Sequence, residues 1–214
     1  MDFLERKFTH GEEVFSSVTH GIGSALSIAG CSIIVTLSAL KGSATDVAAS
    51  SIYGASLILL FITSTLYHAI RNESAKKIFR ILNVNMIFLL IAGTYTPIAL
   101  CAVGGSLGWT IFGIIWAIAI GGIIFSSVSL GKYRKTLTVI YCIMGWAMLF
   151  AINPLYHCLP SSSLIMLIAG GIMYSSGIFF CAKKEIRYMH SIWHLFVLCG
   201  CILQYFSVLF AIIH

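Results

Sequence analysis

An all-α bundle of seven membrane-spanning helices is the fold class this sequence predicts. Three observations carry that prediction. Of 214 residues, 59% are hydrophobic and only 9% charged, where a soluble domain carries about 25% charged residues. The apolar residues gather into seven runs, each close to the roughly 20 residues a helix needs to cross a bilayer. The basic residues fall almost wholly in alternate connections between those runs.

The runs lie at roughly 17–40, 48–70, 84–102, 109–130, 136–152, 163–181 and 190–213. The first follows a tail of mixed charge, MDFLERKFTHGEEVF, with no short apolar core. That tail is no cleavable signal peptide, so the first span is expected to insert the chain and be retained. Thr19 and His20 open this span; Ser64 and His68 lie near the end of the second. Asn83 and Asn85 open the third, which holds Pro97, where a kink is expected. Neighbouring helices can satisfy the backbone groups a proline frees. In the fourth and sixth spans, Ala117, Gly121, Gly170 and Gly171 suit close helix contacts. The fifth is the shortest and is expected to stand nearly upright. His190 and His194 open the seventh. Short connections and the absence of repeats make residues 1–214 one domain.

Twelve of the 13 Lys and Arg residues fall on one side of this bundle. They are Arg6 and Lys7 in the tail; Arg71, Lys76, Lys77 and Arg80 in the second connection; Lys132, Arg134 and Lys135 in the fourth; and Lys183, Lys184 and Arg187 in the sixth. Lys41 alone is on the other side. Positive residues stay cytoplasmic, which predicts a cytoplasmic N-terminus and an outward-facing His214. The net charge of +6 therefore reflects membrane orientation. It implies membrane lipids as partners and no nucleic acid.

The seven cysteines, Cys31, Cys101, Cys142, Cys158, Cys181, Cys199 and Cys201, contain no CxxC pair and are odd in number. They read as reduced packing residues rather than a disulfide framework. Cys199 and Cys201, two apart on a helix, point in different directions and chelate poorly.

The histidines carry the chemistry. His190 and His194, four apart, share one helix face. Such a pair can offer two imidazoles to one metal when a third ligand arrives from elsewhere. The topology brings His68 to the same cytoplasmic-side depth, with Ser64 one turn earlier on the same face. Three imidazoles plus an open position is the pattern of catalytic zinc. The plainer alternatives are interfacial histidines and a backbone-bonded serine hydroxyl. His20 has a weaker case as a fourth ligand, the alternatives being a group behind the ligands or an interfacial residue. His10, His157 and His214 fall in tails or loops. Asn72-Glu73-Ser74 matches a glycosylation acceptor, which has no meaning on a cytoplasmic face. None of the seven carboxylates, Asp2, Glu5, Glu12, Glu13, Asp46, Glu73 and Glu185, lies inside a predicted span. That disfavours a proton-coupled transporter, which shows acidic residues within its helices. It also disfavours an intramembrane carboxylate base. Glu12, Glu13 and Glu185 could reach the site from its cytoplasmic rim, though such charges are more often solvated.

Four motifs, in order along nearly the whole chain, resemble the haemolysin III family, the bacterial branch of the progestin and adipoQ receptors. They are EVFSSVTHG from Glu13 to Gly21, STLYH from Ser64 to His68, IAGTYTP from Ile91 to Pro97 and HSIWH from His190 to His194. The resemblance implies a seven-helix fold in the bacterial inner membrane with a cytoplasmic-side zinc site. His68, His190 and His194 would be its ligands, with Ser64 beside them. The family is similar to alkaline ceramidases, and its eukaryotic adiponectin receptors are associated with ceramide hydrolysis. That implies a zinc-dependent lipid-amide hydrolase with a ceramide-like substrate and catalytic positions at Ser64 and Asn83. This chain departs from the family pattern at Asn83-Val84, where an Asp-His pair is usual, at Ser16 for Asn, and at Gln204 for a further His. An amide at position 83 can orient a water but cannot take its proton, so hydrolysis is expected to be slow or absent. Two other classes stay open: a cytolytic, pore-forming protein, and a zinc-stabilised receptor or lipid sensor.

Overall fold

The structure, a computed structural model, describes residues 8–130, 132–183 and 185–213. Arg6, Lys7, Lys184 and His214, with Asp2 and Glu5, lie outside the described residues. Among the described residues all the regular structure is helical: α1 His10–Lys41, α2 Ala44–Ala69, α3 Glu73–Pro97, α4 Gly105–Val128, α5 Arg134–Trp146, α6 Ile152–Cys158, α7 Ser161–Ala182 and α8 Met189–Ile213. A π-turn, Ile98–Val103, continues α3, and a 3₁₀ turn, Ala147–Ala151, joins α5 to α6. Counted as continuous spans, seven helices are long and apolar enough to cross a membrane.

The helix starts are chemically defined. Thr9 with Glu12, and Ser43 with Asp46, form capping boxes for α1 and α2, each satisfying two free N–H groups. Asn72 caps α3, its side chain accepting from Ala75 N at 3.0 Å. These caps extend the helices beyond the apolar runs. α1 begins seven residues before the expected 17, and α3 begins eleven before the expected 84. Hydropathy locates the part of a helix in hydrocarbon, while caps decide where it begins. Lys76, Lys77 and Arg80 therefore ride on the first turns of α3 rather than in a connection. Asn83 lies within α3 and caps nothing.

The fifth span also differs. It is not the shortest, running from Lys135 to Cys158, and it is broken in the middle. The Tyr95 hydroxyl, from α3, donates to Met144 O at 2.8 Å and accepts from Met148 N at 2.8 Å. It substitutes for ladder bonds that the 3₁₀ turn lacks. Pro154 then falls in the first turn of α6, where its missing N–H costs little. At Pro97 the helix continues as the π-turn, closed by Gly104 N on Ala99 O at 2.9 Å. Gly104 and Gly105, at φ +63° and +56°, supply the left-handed backbone that turns the chain into α4.

α1 packs between α2 and α8; α3 packs on α2 and α4, and α7 on α8. The buried face of α1 is Ser16, Thr19, His20, Gly23, Ser27, Gly30, Ile34 and Ser38. Small residues there admit their neighbours closely: a Cβ on Gly23 would meet Phe61 Cδ1 at 2.5 Å. Hydroxyls tie the pairs together, Ser38 to Ser50 at 2.7 Å and Ser163 Oγ to Ser207 O at 2.7 Å. Such interhelical bonds suit a lipid environment, where helix association has no hydrophobic drive. Gly170 and Gly171 lie against Gln204 and Trp146. Ala117 and Gly121 instead face outward, and Ala119 and Gly122 take the packing role on α4. All seven cysteines are free. Cys158 and Cys199 are exposed, so those two do not serve packing.

Candidate metal centre

His68 ends α2, one residue before its last, and His190 and His194 lie in the first two turns of α8. The i, i+4 spacing puts the α8 pair on one face, as expected. His68 reaches them although α1 lies between α2 and α8. The His68 ring centroid is 4.7 Å from that of His194 and 5.5 Å from that of His190. One ligand atom from each histidine lies within 4.8 Å of the other two. His190 Nε2 and His194 Nε2 are 3.2 Å apart. Two nitrogens on a tetrahedral zinc stand about 3.4 Å apart. His68 and His194 are buried and His190 is half-buried. His68 Nε2 is buried without any hydrogen-bond partner. Buried polar atoms are rarely left so. An orphaned acceptor beside two more imidazoles is what a metal ligand set looks like, and the residues present fit a zinc ion.

Around these three lies a second ring of contacts. Glu13 Oε2 is 2.5 Å from His68 Nδ1, and Glu13 Oε1 accepts from Lys76 of α3. His20 lies on α1, its Nε2 2.7 Å from His194 Nδ1 and its Nδ1 2.6 Å from Ser64 Oγ. Ser64 therefore joins the cluster through His20 rather than directly. Phe8 stacks on His190 at 4.5 Å, and the Trp193 ring centroid lies 5.0 Å from that of His190. Glu12, 1% exposed, accepts from Tyr188 N at 2.8 Å and so anchors the backbone just before α8. A groove of about 400 Å³ runs beside His68, Glu13 and Lys76 to His10 and Arg71. Asn83 is half-buried on α3; among the described residues no hydrogen bond joins it to the histidines. Asn85, the other expected asparagine, donates to Ser127 Oγ at 2.8 Å and ties α3 to α4.

A family model described as Haemolysin-III related matches residues 8–205. This chain belongs to the haemolysin III family. It is 45% identical over 202 residues to "Hemolysin-3" of Bacillus cereus, covering 94% of this chain and 92% of that one. It is 41% identical over 203 residues to the "Hemolysin-3 homolog" of Bacillus subtilis, covering 95% of each. A more distant relative is the "Monocyte to macrophage differentiation factor" of Homo sapiens, 28% identical over 163 residues, covering 73% of this chain and 67% of the relative. No solved structure matches the chain.

Within this haemolysin III protein, the histidine cluster was legible from spacing and depth. Glu13 was legible only as one of three rim charges able to reach the site; it is the one that pairs with His68. The available signal was polar residues at 13, 16, 17 and 20 on one face of an otherwise apolar helix. Glu185 is exposed, as expected.

Proposed function

We propose that this haemolysin III protein is a multi-pass protein of the bacterial inner membrane. It holds one zinc ion on His68, His190 and His194 near the cytoplasmic leaflet and acts, weakly, as a lipid-amide hydrolase. The observation that carries the metal reading is the buried, unpartnered Nε2 of His68 facing two further imidazoles. Zinc bound by three imidazoles supplies Lewis-acid polarisation of a carbonyl and activation of water near neutral pH. The chain's own residues do the rest. The histidines fix the ion, Phe8 and Trp193 flank His190, and Ser64 braces the cluster through His20. The Asn83 carboxamide orients water but takes no proton, which makes hydrolysis slow. The ceramide-like substrate rests on the family resemblance alone.

A second reading is favoured by the name of the Bacillus cereus relative. Here the protein is cytolytic and zinc is structural. The metal reading comes first in either case. Purified protein is expected to carry about one zinc per chain. His190→Ala or His194→Ala is expected to lower zinc content and melting temperature together, because metal binding stabilises the folded state. Unchanged zinc content in both variants would remove the three-histidine assignment.

A further inference from the structure

α1 supplies no ligand to the cluster, yet it touches two of the three ligands from behind. Glu13 and His20 are seven residues apart, two turns, and so share a face. Glu13 lies 2.5 Å from His68 Nδ1. His20 Nε2 lies 2.7 Å from His194 Nδ1. The same face carries Ser16, 3.1 Å from Ser191 of α8, which holds the helices in register between the two contacts.

Counting protons turns these distances into tautomers. A carboxylate only accepts, so Nδ1 of His68 carries hydrogen. A neutral imidazole with hydrogen on Nδ1 has its lone pair on Nε2. That is the atom left buried without a partner. His194 shows Nε2 to His190, so a His194 that ligates there carries its hydrogen on Nδ1. That Nδ1 meets the side of the His20 ring, 2.7 Å from Nε2 and 3.1 Å from Nδ1, a packing contact rather than a lone-pair bond. His20 is itself held by Ser64 Oγ at 2.6 Å and the His194 carbonyl at 3.4 Å.

We infer that Glu13 is a positioning residue that sets the tautomer of His68, aiming its Nε2 lone pair at a metal ion shared with His190 and His194. The inference rests on the zinc reading above. Metal-bound histidines commonly give their second N–H to such a partner, and losing it costs roughly 10- to 100-fold in metal affinity. Lys76 holds the far oxygen of Glu13 and keeps the carboxylate turned toward His68.

The test is zinc affinity of the detergent-purified full chain, by competition with a chelator, alongside the visible spectrum of the cobalt-loaded protein. Glu13→Leu removes the acceptor without adding a charge. It is expected to weaken zinc by about 10- to 100-fold and to alter the cobalt spectrum. Glu13→Gln keeps an amide oxygen that accepts from the same N–H, and is expected to recover most of the affinity and the spectrum. Wild-type affinity in Glu13→Leu would overturn the inference. So would a Gln variant as weak as the Leu variant, since any packing role would give that result. Should Glu13→Leu fail to fold, Glu13→Ala against Glu13→Gln decides by the same two readouts. A wild type that takes up no zinc would instead remove the metal reading itself.

Discussion

Asn83 stands where the family resemblance implies a carboxylate. A carboxylate there could accept a proton; the carboxamide can only orient. Asn83→Asp is therefore expected to raise lipid-amide hydrolysis by metal-replete protein. General-base assistance is worth roughly 10²–10⁴-fold, and a nearby cation would favour the ionised form of the new side chain. A folded, zinc-loaded Asn83→Asp protein no faster than wild type would count against the hydrolase and favour a role in which zinc is structural. The neighbouring residues show what a sequence can disclose at this scale. His190 and His194 announce themselves by spacing, and His68 by its depth once topology is drawn. Glu12 and Glu13 are less plain. Both stand at the rim within reach of the site, where charges are more often solvated, and the real start of α1 shows that both point inward.

At the scale of the element, helix existence was legible and helix limits were not. All seven spans follow from apolar run length. The extra turns of α1 and α3 depend on Thr9, Glu12 and Asn72, local caps that hydropathy does not weigh. The break in the fifth span depends on a residue from another helix, and no reading of residues 134–158 by themselves could locate it. Tyr95 is that residue. Its ring is buried and its hydroxyl serves both Met144 O and Met148 N. Tyr95→Phe takes the acceptor from the Met148 N–H, while Met144 O still accepts from Ala147 N. Unpaired buried groups cost about 1–3 kcal/mol, so a lowered melting temperature in detergent is expected, with zinc content unchanged. Equal melting temperatures for the two proteins would mean that the 3₁₀ turn is held by packing alone.

For the whole molecule, the distribution of charge is the strongest organising signal. Among the described residues, Lys41 stands at the Lys41/Ser43 end of α1 and α2, while Arg71, Lys76, Lys132, Lys183 and Arg187 belong to the connections and helix ends at the other side. The histidine cluster lies at that basic end. Reporter fusions are expected to place the N-terminus in the cytoplasm and the C-terminus outside. Both ends on one side would remove the seven-span topology and the cytoplasmic site with it.

The lengths of α2 and α8 carry a consequence for how lipid and histidine meet. His68 lies 25 residues from Ser43, the cap of α2, which is about 37 Å of helix. His190 lies 23 residues from Ile213, about 35 Å. The hydrocarbon core of a bilayer is only about 30 Å thick. With the far ends of α2 and α8 set at one edge of that core, the imidazoles emerge past the other, level with the junction of head group and acyl chain. Water is present at that depth without any channel through the bundle. A membrane lipid would bring its own carbonyl to the histidines by sideways diffusion, without leaving its leaflet.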